Sequence, residues 1–138
     1  MVEYIENNAY GAVIVENGKP IQTKRTNLAV IRDMCLDRLF SYEGYVKAVR
    51  KKIGICYRIP VYLDDENAFF PTRRTRDFAN IWVNAEAIKG ITEHGSGILI
   101  LFRSGSKKEL RISRSRVMRA ITVLQEIRKA KVKHFHDH

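Results

Sequence analysis

Arginine, threonine and serine, rather than nucleophiles or metal ligands, stand where this 138-residue chain gathers its chemistry. The segment Pro71-Thr72-Arg73-Arg74-Thr75-Arg76 puts three guanidinium groups and two hydroxyls on a connection between extended stretches. Connections run over the surface. Forked guanidinium donors match phosphate oxygens and base edges, and they enter narrow A·T-rich minor grooves where the potential is most negative. Ser113-Arg114-Ser115-Arg116 lies where the last helix should begin. Free backbone N–H groups and the helix dipole favour an anion there, and two cations at that end call for one. Pairing of Arg114 and Arg116 with nearby carboxylates is the competing explanation. A third cluster, Lys47, Arg50, Lys51 and Lys52, falls on one side of a helical pattern, where a solvated face is the simpler reading.

Catalytic groupings are weak. Asp64-Asp65-Glu66 reads as a solvated turn, and His94 sits in a hairpin turn without a partner in sequence. His134, His136 and His138 alternate at the end of the sequence, where ends fray and a physiological metal site is not expected. Cys35 and Cys56 form no CxxC pair and are expected to be reduced, buried thiols of a cytosolic protein. Neither a phosphate-cradling glycine loop nor a nucleophile elbow occurs. The expectation is a binding protein, not an enzyme, with no cofactor and no metal.

Charge points the same way. Lys and Arg total 25 against 15 acids, a formal net charge of +10, which attracts nucleic acid or an anionic membrane surface. Membrane binding needs an amphipathic segment with bulky apolar residues to spare, and none is available. Hydrophobic residues make up 45% and charged residues 29%, a composition that supports one globular core. The longest apolar run, Ile98 to Phe102, has the length of a buried strand, and Met1-Val2-Glu3-Tyr4 lacks a secretory leader's pattern.

The elements that must position these groups follow from periodicity. A hairpin over 9–24 is predicted from the β-branched run Tyr10–Glu16, the Asn17-Gly18 turn and Lys19–Thr23. A helical segment over 27–53 divides into a pair of helical patterns. Asn27 caps the first, whose apolar face is Leu28, Ile31, Cys35 and Leu39; the second, from Ser41, turns Tyr42, Tyr45, Val49 and Ile53 to one side. Residues 57–112 are β-rich, with turns at 64–67, 94–97 and 104–106 and a last strand at Glu109–Ile112. Pro60 belongs at a strand edge or start. A helix over 113–132, capped by Ser113, presents Val117, Ala120, Ile121, Leu124 and Ile127, with Arg119, Glu126, Lys129 and Lys133 opposite. The sum is a single α+β domain over 1–138, mostly antiparallel sheet with helices packed on it.

Cys35, Leu39-Phe40-Ser41-Tyr42-Glu43-Gly44, Ile59-Pro60, Phe70-Pro71-Thr72, Thr75-Arg76 and Ile81-Trp82-Val83 occur in an order that resembles the ComK family, competence transcription factors of Gram-positive bacteria. The stretch from Asn67 to Trp82 carries most of it. The resemblance implies a regulator that binds A/T-rich promoter DNA, largely through the minor groove, as a homodimer or higher oligomer. On that reading Arg73, Arg74 and Arg76 make the groove contacts, Thr72 and Thr75 touch the flanking backbone, and Ser113, Arg114 and Arg116 anchor phosphates. Lys47, Arg50 and Lys51 add to the basic surface, and Arg119 should matter little. Arg73 and Arg74 stand where the resemblance implies small polar residues. The second half is more weakly similar to LytTR DNA-binding domains, through Ile81–Asn84, Ile98–Phe102 and Leu110–Arg116. Two other classes fit the element order: a basic protein- or lipid-binding module of pleckstrin-like architecture, and an RNA-binding domain stacking bases on Phe69, Phe70 and Trp82. For Trp82, burial is the simpler role.

Overall fold

The computed structural model describes residues 1–136, with side chains through residue 133. The chain opens on β1 (Val2–Asn8) and the hairpin β2 (Gly11–Glu16) and β3 (Lys19–Thr23). Two helices follow, α1 (Asn27–Asp37) and α2 (Tyr42–Ile53), then strands β4 (Val61–Asp64), β5 (Asn67–Pro71) and β6 (Ile81–Asn84). A single 3-10 turn, Ala85–Ala87, leads to β7 (Ile88–His94), β8 (Gly97–Phe102), β9 (Lys107–Leu110) and the long α3 (Arg114–His136). All pairings are antiparallel. One sheet runs β3-β2-β1-β6-β5-β4; the other runs β7-β8-β9. The α+β class holds, with two antiparallel sheets.

Alternation along the central strands builds two cores at once. Successive side chains of a strand point to opposite faces. Phe69 and Trp82 therefore join Ile5 and the α1/α2 residues Ile31, Cys35, Tyr42 and Val49 in one cluster. Their neighbours Phe70 and Val83 join Ile98, Ile100, Phe102 and Val117 in the other. The long sheet thus has helices on one face and the short sheet on the other. The helix α3 reaches both, with Val117 in the second cluster and Ile127 in the first.

Several local expectations are corrected. The strand β1 was not anticipated, because Glu3 and Glu6 break its apolar alternation; it lies in mid-sheet between β2 and β6. Thr26, not Asn27, caps α1, its hydroxyl accepting from the Ala29 N–H at 3.2 Å. Asn27 is the first helical residue and is buried, its amide donating to the Asn80 carbonyl at 2.7 Å. Leu39 lies beyond α1 at φ 66° and is 95% exposed, so the apolar face ends at Cys35. The last strand is Lys107–Leu110, two residues earlier than expected. Cys35 is buried as expected, but Cys56 is exposed. Its segment, 54–60, is an irregular connection outside both helix and sheet.

Several turn and cap residues agree, while α3 runs on to His136 and β4 starts only at Val61. Asn17 and Gly18 both take positive φ, as the two-residue hairpin turn requires. Ser41 caps α2, accepting from Gly44 N–H at 3.0 Å, and Gly54 closes that helix in the left-handed conformation. Pro60 immediately precedes β4, which is an edge strand. Ser113 caps α3, its hydroxyl accepting from the Arg116 N–H at 3.2 Å.

Candidate nucleic-acid interface

The loop between β5 and β6 is pinned by hydrogen bonds, and it carries three arginines within four residues. Thr72 bonds Ile81 twice: its own N–H donates to the Ile81 carbonyl at 3.1 Å, and its hydroxyl accepts from the Ile81 N–H at 3.0 Å. The Asn80 side chain accepts from the Arg73 N–H at 2.9 Å, and Asp77 caps the turn by accepting from Ala79. Thr72 is therefore a brace and not a surface hydroxyl; it is 4% exposed and unable to meet a DNA backbone, which corrects the sequence reading. Arg73, Arg74 and Arg76 are exposed. Thr75 is half-buried beside Tyr42, whose phenol is pushed up by burial, with a hydrogen bond to Thr75 opposing.

Arg74 and Thr75 open onto a groove of about 910 Å³ that four separate stretches of chain enclose. Arg50 comes from the last turn of α2, Arg58 from the connection to β4, Arg74 from the β5–β6 loop, and Arg116 and Arg119 from α3. Spacing explains the α3 contribution. Residues 116, 119, 120 and 123 fall on one helical face, next to the stripe that enters the core. Arg119 thus lies beside the core face and not opposite it. Arg58 adopts φ 50°, a left-handed conformation that non-glycine residues hold only when their surroundings enforce it. Pro60, Phe70, Pro71 and Ile112 give the groove an apolar lining.

Among the described residues, no carboxylate lines this groove. Among the described residues, the ion pairs of Arg25, Arg32, Arg38, Arg128 and Lys108 take up acids elsewhere, and none involves a groove arginine. The Arg116 guanidinium donates to the Thr72 carbonyl at 3.4 Å. Among the described residues no ion pair involves Arg114 or Arg116. Five guanidinium groups with no acid beside them make this groove electropositive.

Only some members of the three sequence clusters meet in this groove. Arg50, Arg74, Thr75 and Arg116 line it; Lys47, Lys51, Arg73, Arg76, Ser113 and Arg114 do not. Of these, Lys47, Lys51, Arg73, Arg76 and Arg114 are exposed outside it, and the Ser113 hydroxyl is engaged as the α3 cap. Arg58 and Arg119 were missed as site residues. Arg58 looked like the start of a strand, and helical spacing alone put Arg119 on the solvent side.

Other groupings carry less. Phe69, Phe70 and Trp82 are at most 1% exposed, so they offer no base-stacking platform. Asp64 and Asp65 hold Arg38 and Arg128 across the β4–β5 turn. Among the described residues no group of three His, Cys, Asp or Glu side chains is placed to hold a metal ion, and the side chains of His134, His136 and His138 lie outside them. Among the described residues no helix is long and apolar enough to cross a membrane.

Fold and groove together define a basic α+β domain, two antiparallel sheets with an arginine-lined cleft at their helical margin. The family model for the ComK protein matches residues 1–131, and the chain belongs to the ComK family, a family of transcription factors associated with competence. No curated protein and no solved structure matches it.

Proposed function

We propose that this protein regulates transcription by gripping double-stranded DNA along the five-arginine groove, with a preference for A/T-rich promoter sites. The observation that carries the reading is the convergence of Arg50, Arg58, Arg74, Arg116 and Arg119 without a single acid among the groove residues. A sugar–phosphate strand suits such a cleft, because phosphates meet guanidinium groups while sugar faces cover the apolar lining. Arg73 and Arg76, exposed on the same loop as Arg74, are then free to reach the adjacent minor groove. Exposed Lys47, Lys51 and Arg114 extend the positive surface around it. A homodimer would match paired half-sites on the DNA.

Fluorescence anisotropy with an A/T-rich and a G/C-rich duplex, each at two salt concentrations, tests this. A/T binding tighter by about tenfold, persisting at the higher salt, is the expected result; the slope of log K on log salt counts phosphate contacts at about 0.9 each. Equally weak binding to both duplexes that disappears with salt would reduce the reading to bulk charge. Binding to anionic vesicles in place of DNA would favour the pleckstrin-like module.

A further inference from the structure

Phe78 stands at the far end of the loop that delivers Arg74 to the groove. It is 66% exposed in a protein that buries Phe69, Phe70 and Phe102 almost completely. An exposed aromatic on a floppy loop would carry no information, but this loop is fixed on both sides of Phe78. The Asp77 N–H donates to the Arg74 carbonyl and the Asn80 N–H to the Asp77 carbonyl, both at 3.0 Å. Asn7, at the end of β1, donates its side-chain N–H to the Phe78 carbonyl at 3.1 Å. The Asn80 carbonyl is held by buried Asn27. The backbone on both sides of the ring is thus hydrogen-bonded in place, and the residue stays mostly exposed.

Its chain neighbours include a cation and a hydrogen-bonded acid. Arg76 lies two residues before it, exposed, and among the described residues no ion pair involves it. Asp77, between them, engages its carboxylate with the Ala79 N–H at 2.9 Å. The Asn7 bond brings the loop to the end of β1, where the β1–β2 turn carries Tyr10, 79% exposed. An exposed apolar ring on a pinned loop, beside such an arginine, is the pattern by which proteins unstack neighbouring base pairs: the cation holds the groove and the ring enters the opened step.

We propose that Phe78 is a wedge that inserts at a base-pair step next to the strand held by the five-arginine groove, with Arg76 securing it. This rests on the DNA reading above and adds a structural consequence, local unstacking at one step. Pyrimidine–purine steps such as TA open most readily, so the wedge would also contribute sequence preference.

The test uses the full chain and A/T-rich duplexes in which 2-aminopurine replaces adenine at successive positions. Wild-type protein should raise the fluorescence at one step and leave the others near their free values. Phe78→Ala should abolish that rise and weaken binding by about tenfold, the lower range of an aromatic–base contact. Phe78→Leu, which keeps an apolar wedge, should retain most of both. Circular dichroism should be the same for all three, since the Phe78 side chain is exposed. If Phe78→Ala binds and brightens 2-aminopurine as the wild type does, the wedge is overturned while the groove reading stands. If the wild type binds no duplex, both fall together.

Discussion

Buried polar side chains act as connectors in this protein. Tyr45 donates its hydroxyl hydrogen to the Pro60 carbonyl at 2.7 Å and accepts from the Tyr62 N–H at 3.0 Å, tying α2 to the edge strand. Burial raises its pKa, so the phenol stays protonated and the donor persists. Asn84 accepts from Ala68 N–H and donates to the Val2 and Glu66 carbonyls, joining β1, β5 and β6. Tyr45→Phe removes one such connector and leaves a buried carbonyl and a half-buried N–H without this partner. The expected loss is about 1–3 kcal/mol in urea unfolding. The cysteines differ in kind: burial pushes the Cys35 thiol up to about 11, whereas Cys56 lies exposed at the groove. A thiol reagent at pH 8 should therefore modify one cysteine in the native protein and two in denaturant. Two fast-reacting native thiols would contradict the burial of Cys35.

At the scale of elements, the β4–β5 turn is an acidic clamp on two helices. Asp64 pairs with Arg38 at the end of α1, and Asp65 pairs with Arg128 of α3, each at 2.9 Å. Desolvation alone would raise the Asp64 pKa, but the Glu66 N–H, Arg38 and Asn67 outweigh it and the net shift is downward. Asp65 is lowered chiefly by Arg128 and then by Tyr62. Both carboxyls are thus more acidic folded than unfolded. Their contribution is present above the unfolded value, about 3.9, and is lost as pH falls through the folded values. The urea midpoint should hold between pH 7 and about 5 and decline below about 4. Asp64→Asn should flatten that decline, and an unchanged acid profile would remove the clamp from the account. The hairpin β2–β3 depends on Gly11, at φ 143°, where an added Cβ would lie 2.2 Å from the Thr23 carbonyl oxygen. Gly11→Ala should lower the melting temperature, because the obstacle is backbone and cannot move aside.

On the scale of the whole molecule, α3 makes one cooperative unit from two cores. Val117 and Ile127 sit ten residues apart on that helix, each at most 2% exposed and each in a different cluster. Ile127→Ala should cost about 2–5 kcal/mol. Both it and Val117→Ala should shift a single unfolding transition seen alike by tryptophan fluorescence and circular dichroism; two separated transitions would mean the cores unfold independently. The same helix turns Arg116 and Arg119 into the groove. Arg116→Ala and Arg119→Ala should each lower the salt slope of DNA binding by about 0.9. Arg119, which sequence spacing had put aside, is thereby the sharper test of the groove.

Periodicity and punctuation determined most of the local structure by themselves. The Asn17-Gly18 turn, the Ser41 and Ser113 caps, the apolar stripe of α3 and the strands around Phe69-Phe70 and Trp82 depend on near neighbours in the chain. The order of motifs from Cys35 to Trp82 was enough to point to the family. Tertiary structure alone decided β1, whose glutamates hide its alternation. There Glu3 is buried against Gly18, Ser104 and Ser106, partners far along the chain. It also decided which cations share a site. Thr72 and Arg74 are two residues apart in one basic run, yet one is a buried brace and the other faces the groove with Arg50, Arg58, Arg116 and Arg119. Burial and charge convergence are long-range properties. They depend on how α2, the 54–60 connection and α3 close around the end of β5, which no window of sequence contains.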